Sequence, residues 1–69
     1  MSKADEIMKK HNYEISEDRL SVTYTYYFNM LGPQEIEVMK NGYCKIDGQL
    51  IDGKIIKAIA QKFEEKEWL

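Results

Sequence analysis

The middle of the chain alternates between apolar and polar residues. Across residues 20–28 every second side chain is large and apolar, which is typical of a strand with one buried face. We therefore predict a strand whose inward residues are Leu20, Val22, Tyr24, Tyr26 and Phe28. Its outward residues are predicted to be Ser21, Thr23, Thr25 and Tyr27.

A second alternating run predicts another strand at residues 34–39. Its inward residues are Ile36 and Val38, and its outward residues are Glu35, Glu37 and Met39. Residues 29–33 are expected to interrupt the sheet between the two strands. Pro33 has no main-chain N–H to donate there, and Gly32 permits dihedral angles that other residues avoid.

The dipeptide Asn41-Gly42 indicates a hairpin after the second strand. A two-residue loop would place Val38 opposite Lys45 and Glu37 opposite Ile46, which mixes the two faces of the sheet. A three-residue loop at 40–42, with Gly42 in the left-handed region, pairs Met39 with Tyr43 instead. It also sets Val38 opposite Cys44, Glu37 opposite Lys45 and Ile36 opposite Ile46. We predict the three-residue loop, and a third strand that ends in a turn at 46–48.

Helical spacing appears at the start of the chain. Ser2 is followed three residues later by Asp5, which resembles a capping box, and Asn12 is a suitable stop. The apolar positions of this short helix recur at intervals of three and four residues. They are Ala4, Ile7, Met8 and His11.

The end of the chain predicts a longer helix with Asp52 as its N-cap. Its apolar stripe is expected to contain Ile55, Ile56, Ile59, Ala60 and Phe63. Its solvated side is expected to contain Lys54, Lys57, Gln61, Glu64 and Glu65. Trp68 points away from the stripe if the helix continues that far, so it is either exposed or marks the end of the helix.

These elements predict one α+β domain over residues 1–69, in the order α-β-β-β-α. The sheet is a three-stranded antiparallel meander, and both helices cover the same face because each has a single apolar stripe. Residues 13–15 are either a short extra strand or an extended linker whose two apolar residues, Tyr13 and Ile15, fill the core.

Composition narrows the class of protein. Of the 69 residues, 43% are hydrophobic and 32% charged, as in a folded domain rather than a disordered chain. The formal net charge of −2 argues against a dedicated nucleic-acid binder. The single cysteine, Cys44, rules out an intrachain disulfide and fits a reducing compartment. The charged N-terminus does not resemble a signal peptide, and no apolar run is long enough for a membrane span, so we expect a cytoplasmic protein.

Residues that could carry chemistry are isolated along the chain. His11 lacks ligand partners at zinc spacing, and Cys44 is predicted to face the core as a small apolar side chain. Asp47 and Asp52 lack the further oxygen ligands of a calcium loop, so turn and N-cap roles explain them. We therefore predict no catalytic residue, no metal and no cofactor, and a protein that is not an enzyme. An acidic run near the end of the chain fits a solvated helix face better than a contact for a basic partner; it contains Glu64, Glu65 and Glu67.

The uncovered sheet face is the main candidate for function. Tyrosine and methionine are enriched at interface cores, although the same residues also occur on ordinary solvated sheets. The predicted partner-binding residues are Tyr27, Glu37, Met39, Tyr43 and Lys45, together with Trp68 at the helix end. Tyr27 is expected near Tyr43 if the first hairpin brings them together.

The layout of helix, meander and helix in a short, nearly neutral chain resembles many phage- and prophage-encoded inhibitors of bacterial proteins. The resemblance is one of arrangement, without a shared motif. It implies a small interaction module that modulates or inhibits a host protein, with no membrane contact and no small-molecule substrate. The alternatives are a structural homodimer, formed through the open face or a strand edge, and a weak binder of single-stranded nucleic acid.

Overall fold

A four-stranded antiparallel sheet forms the centre of the fold. The structure is a computed structural model and describes residues 2–28, 32–47 and 51–69. Along the chain the elements are α1 (Lys3–Lys10), β1 (Glu14–Glu17), β2 (Ser21–Phe28), β3 (Gly32–Met39), β4 (Cys44–Asp47) and α2 (Gly53–Lys66). The strands lie side by side in the order β1-β2-β3-β4. The α+β prediction is confirmed, and the segment at 13–15 contributes to a fourth strand.

The hairpin between β3 and β4 has the predicted register. Val38 lies opposite Cys44, Glu37 opposite Lys45 and Ile36 opposite Ile46. The Met39 N–H donates to the Tyr43 carbonyl at 2.9 Å, which closes a three-residue loop. Gly42 has a φ of 93°, so the loop requires the left-handed conformation that glycine adopts without strain.

Both helices begin at the predicted N-caps, and α1 ends at the predicted stop. The Ser2 hydroxyl accepts a hydrogen bond from the Asp5 N–H at 3.0 Å, and the Asp52 carboxylate accepts one from the Lys54 N–H at 2.8 Å. Asn12, with a φ of 67°, turns the chain away after α1. Glu67 is left-handed at the end of α2, so Trp68 has left the helix. Of the two interpretations of Trp68, the end of the helix is correct.

The core lies between the two helices and one face of the sheet. Its members are buried side chains from α1, α2 and the two central strands, together with one tyrosine between α1 and β1. They are Met8, Tyr13, Val22, Tyr24, Ile36, Val38, Ile55, Ala58, Ile59 and Phe63. Burial of a large apolar side chain contributes about 1.5–3 kcal/mol, so this cluster is the main source of stability in a chain whose single cysteine cannot form an intrachain disulfide.

Leu20 is exposed, and its predicted place in the core is wrong. The Asp18 carboxylate accepts hydrogen bonds from the N–H groups of Leu20, at 2.7 Å, and Ser21, at 2.9 Å. These bonds form a local turn, so the strand begins only at Ser21. The same N–H groups lower the pKa of the Asp18 carboxyl.

The apolar stripe of α2 is rotated from its predicted position. Ile56 and Ala60 are exposed, whereas Ala58 and Lys62 are buried. The reason is that α2 packs against α1 as well as against the sheet. The side that meets α1 uses a small residue and a lysine, and periodicity of apolar residues detects neither.

The predicted break at 29–33 is wrong for Gly32 and Pro33, which belong to β3. Residues 29–31 lie outside the described residues. Pro33 pairs with Tyr27 of β2. The Met39 N–H is directed toward the β4 side, and by alternation along β3 the nitrogen of Pro33 also points away from β2. The missing N–H of Pro33 therefore leaves the ladder between β2 and β3 intact.

Candidate interaction surface

The sheet face opposite the core is covered by neither described helix, and we call it the outer face. Strand alternation and the observed register define its members. They are Glu14, Ser16, Ser21, Thr23, Thr25, Tyr27, Pro33, Glu35, Glu37, Met39, Lys45 and Asp47, with Tyr43 immediately before β4. The hairpin between β1 and β2 thus adds outer-face positions from β1 that the sequence prediction did not contain.

Four of the predicted partner-binding residues lie together at one end of the outer face. Met39 and Tyr43 close the β3–β4 hairpin, and Glu37 and Lys45 form the next cross-strand pair. Tyr43 is 71% exposed, whereas Met39 is half-buried beside it. In the described part of the chain Glu37 and Lys45 are neighbours without a salt bridge within 4.0 Å. Both charges therefore remain solvated and able to meet a partner.

Tyr27 is exposed on the same face but at its other end. The β2–β3 register pairs Ser21 with Met39 and Tyr27 with Pro33. Six residues of strand separate these two rows, a distance of about 20 Å. The expectation that Tyr27 lies near Tyr43 is therefore wrong, and one small epitope cannot contain both.

Trp68 is not part of the outer face. It packs half-buried against the core, and the Lys66 ammonium lies 5.7 Å from its ring centroid. Its carbonyl oxygen is 3.5 Å from the place that a Cβ on Gly42 would occupy. Trp68 thus fixes the end of α2 against the β3–β4 loop, which is a structural position.

A row of carboxylates crosses the outer face. Glu14 lies opposite Thr25, Thr25 opposite Glu35, and Glu35 opposite Asp47. With Glu37 the strands carry four carboxylates on this face against one lysine, Lys45. The sequence prediction missed Glu14 because β1 was uncertain, and missed Asp47 because it was assigned to a turn. Glu35 and Glu37 were predicted on this face, and the observed register adds Glu14 and Asp47 to them.

The opposite face contains a polar cluster that ties the two helices to the sheet. Lys62 is almost fully buried, and its ammonium lies 3.0 Å from the Asp5 carboxylate and 3.2 Å from the Ser2 hydroxyl. The Tyr24 hydroxyl donates to the same Asp5 carboxylate at 2.8 Å. Burial and this carboxylate together raise the pKa of Tyr24 above its usual value. The cluster holds α1, α2 and β2 together.

Glu65 joins this cluster while remaining exposed, as predicted for the solvated side of α2. It accepts hydrogen bonds from the Ser2 hydroxyl, the Ala4 N–H at 3.2 Å and the Gln61 amide at 3.3 Å. Partial burial acts to raise the pKa of the Glu65 carboxyl, but these bonds and the Lys62 charge outweigh it and lower the pKa. Because its carboxylate is engaged in these intramolecular bonds, this glutamate is a poor candidate for partner binding.

Cys44 and His11 both occupy structural positions in the fold. Cys44 is half-buried against the core as predicted, and burial raises the pKa of its thiol, which disfavours the reactive thiolate. His11 Nδ1 lies 2.9 Å from the Ile7 carbonyl at the end of α1. Among the described residues, no group of three or more histidine, cysteine, aspartate or glutamate side chains could hold a metal ion.

Neither α1 nor α2, the described helices, has the length and apolar character needed to cross a membrane.

Comparison with known proteins identifies no family for this chain. Protein-family models, curated proteins and solved structures were compared with the chain, and none gives a significant match.

Proposed function

We propose that the chain is a small non-enzymatic protein-interaction module that binds a partner protein through its outer face. The observation that carries this proposal is the exposure of Tyr43 beside Met39 on a sheet face that neither helix covers. A tyrosine ring provides a large contact area at a small cost in side-chain entropy, and methionine adapts to irregular surfaces. Such residues are typical of the centre of a protein interface.

The charge of the outer face supports a basic partner. Four carboxylates and one lysine lie around the Tyr43 end and along the acidic row. Complementary charge increases the rate of encounter and excludes partners of the same sign. The same carboxylates repel phosphate groups, so a nucleic-acid role receives less support than a protein contact.

The arrangement-level resemblance to phage- and prophage-encoded inhibitors suggests which partners to test first. We propose a stoichiometric modulator of a bacterial cytoplasmic protein, in which the module covers a basic surface of that protein. A stoichiometric modulator requires no catalytic group. The partly buried thiol of Cys44 and the contact of His11 with the Ile7 carbonyl are compatible with such a role.

The first experiment removes the aromatic anchor. The tagged chain and its Tyr43→Ser variant are used to capture proteins from a bacterial lysate, and affinity for each purified candidate is then measured by calorimetry. We expect Tyr43→Ser to weaken binding at least about tenfold, as for a central interface tyrosine. The matched control is Lys57→Ser, an exposed position on α2, which should bind like the unmodified chain. Equal affinity for all three proteins, each verified as folded by circular dichroism, would exclude this end of the outer face.

A second experiment tests the charge of the partner. The Glu35→Lys substitution reverses one charge at the centre of the acidic row, and Glu64→Lys makes the same change on the exposed side of α2. We expect Glu35→Lys to lower the association rate and its dependence on salt, and Glu64→Lys to have a much smaller effect. An unchanged association rate in Glu35→Lys would show that the partner does not meet the acidic row.

A further inference from the structure

β4 is the last strand of the sheet, and no described segment pairs with its outer edge. Met39 and Tyr43 form a hydrogen-bonded pair at the loop, and such pairs alternate along an antiparallel ladder. Lys45 and Asp47 therefore direct their main-chain groups toward β3. The N–H and C=O groups of Cys44 and Ile46 are directed toward the open edge, where another strand can bond to them.

Apolar side chains accompany this edge. Ile46 belongs to the core face of the sheet but is 45% exposed, because α2 lies over β3. Ile56 on α2 is 55% exposed. It is nine residues from Glu65, about two and a half helical turns, so the two side chains lie on opposite sides of α2. Because Glu65 bonds to α1, which lies over β1, Ile56 is on the side nearer β4.

We propose that β4 pairs with β4 of a second copy of this chain, antiparallel and about a two-fold axis at Ile46. In this register Ile46 bonds through its main chain to Ile46 of the second copy, and the two side chains meet on the core face. On the outer face Lys45 lies opposite Asp47 of the second copy, and Asp47 opposite its Lys45. Two four-stranded sheets then form one sheet of eight strands.

Charge selects this register over the other two-fold arrangements of the described strand. An axis at Lys45 places two lysines directly opposite one another, and an axis at Asp47 does the same with two aspartates; both are unfavourable. An axis at Cys44 sets Lys45 opposite Tyr43 and Ile46 opposite Gly42, so neither charge nor apolar surface is matched. Only the axis at Ile46 pairs both charges and both isoleucines.

The other edge of the sheet does not offer the same complementarity. The charged residues of β1 are Glu14 and Glu17, and it has no basic residue. Pairing of β1 with its own copy would bring four carboxylates together, and Glu17 is already bonded to Lys66 of α2. β4 has one charge of each sign and is therefore the edge suited to a second copy.

Charge exchange tests the proposal, with sedimentation equilibrium from micromolar to millimolar concentration as the measurement. Lys45→Asp and Asp47→Lys each place like charges across the axis twice, so we expect each to weaken dimerisation at least about tenfold. The double variant K45D/D47K restores both pairs and should dimerise like the unmodified chain. Asp47→Lys is the more informative single variant. Within one chain Asp47 lies opposite Glu35, so the new lysine replaces a pair of like charges with a pair of opposite charges. It should remain folded while losing the dimer.

Two further variants separate this interface from the proposed partner site. Ile56→Lys should weaken the dimer, whereas Tyr43→Ser should leave it unchanged while it weakens partner binding. A chain that is monomeric at millimolar concentration would overturn the proposal, and so would a folded double variant that is as monomeric as the single variants. A dimer that no variant affects would place the contact on another surface and would equally refute it.

Discussion

The substitution Lys62→Met tests whether the buried polar cluster stabilises the fold. The Lys62 side chain is only 4% exposed, and its ammonium bonds to Asp5 and to the Ser2 hydroxyl. Methionine preserves most of the aliphatic stem and its packing, so the change removes mainly the charge and its hydrogen bonds. Asp5 then loses its cationic partner.

The expected cost follows from the burial of the two charges. Removal of one member of a fully buried ion pair costs about 3–5 kcal/mol. The Asp5 side chain is 23% exposed and retains the bond from Tyr24, so water recovers part of this loss. We therefore expect unfolding to become easier by about 2–3 kcal/mol, out of a total of roughly 3–10 kcal/mol for a chain of this length. The midpoint of thermal unfolding should fall by about 10 °C or more.

Urea unfolding, followed by circular dichroism and by the fluorescence of Trp68, measures this cost. A double-mutant cycle with Asp5→Asn should give a coupling of about 1–2 kcal/mol, because the two side chains touch. Lys57→Met is the control and should change stability by less than about 0.5 kcal/mol, since Lys57 is exposed on the same helix. If Lys62→Met unfolds at the same urea concentration as the unmodified chain, the desolvation of the pair cancels its attraction and the reasoning is refuted.

The remaining predictions concern glycine and titration. Gly42→Ala should destabilise by about 1–2 kcal/mol because of its positive φ, whereas Gly53→Ala, at the start of α2, should be neutral or stabilising; urea midpoints compare them. The folded pKa of Glu65 is lowered, so its contribution is present above pH 4.5 and is lost as pH falls through the folded pKa; Glu65→Gln should flatten this acid limb of stability. The pKa of Tyr24 is raised, so stability should fall above about pH 10, and Tyr24→Phe, measured by alkaline denaturation, should show a smaller decline; the raised pKa values of Tyr13 and Cys44 account for the remainder.

The register of the β3–β4 hairpin could be predicted because one loop length fits the alternation of its residues and the other does not. Only the three-residue loop keeps Ile36 and Val38 opposite apolar residues, and Gly42 supplies the conformation that this loop requires. The helix caps at Ser2 and Asp52 were equally local, since each bonds to an N–H two or three residues away. Local rules therefore account for this hairpin and for the starts of both helices.

The burial of Lys62 could not be predicted in this way. The Ser2 hydroxyl to which it bonds is 60 positions away, and the contact depends on the angle at which α1 and α2 meet. That angle cannot be inferred from the spacing of apolar residues in either helix alone. Ile56 was therefore assigned to the core in place of Ala58.

The candidate site was predicted in part. Met39, Tyr43, Glu37 and Lys45 were correctly placed on one uncovered face because all four follow from the hairpin register. Tyr27 was misplaced because the loop between β2 and β3 has no decisive sequence signal. The complete acidic row was missed because it also needs the register of β1. A surface assembled from four strands becomes visible only when every pairing is known.

The contact between Ser2 and Glu65 has a consequence for the order of folding. It joins residues 63 positions apart, so α1 has no helical partner until α2 has been synthesised. An isolated helix of eight residues is unstable in water, whereas the β3–β4 hairpin needs only neighbouring residues. During translation the hairpin can therefore form first, and α1 joins the nascent domain in its last step. A ribosome-bound chain truncated before α2 should contain strand structure and remain sensitive to proteolysis within residues 3–10.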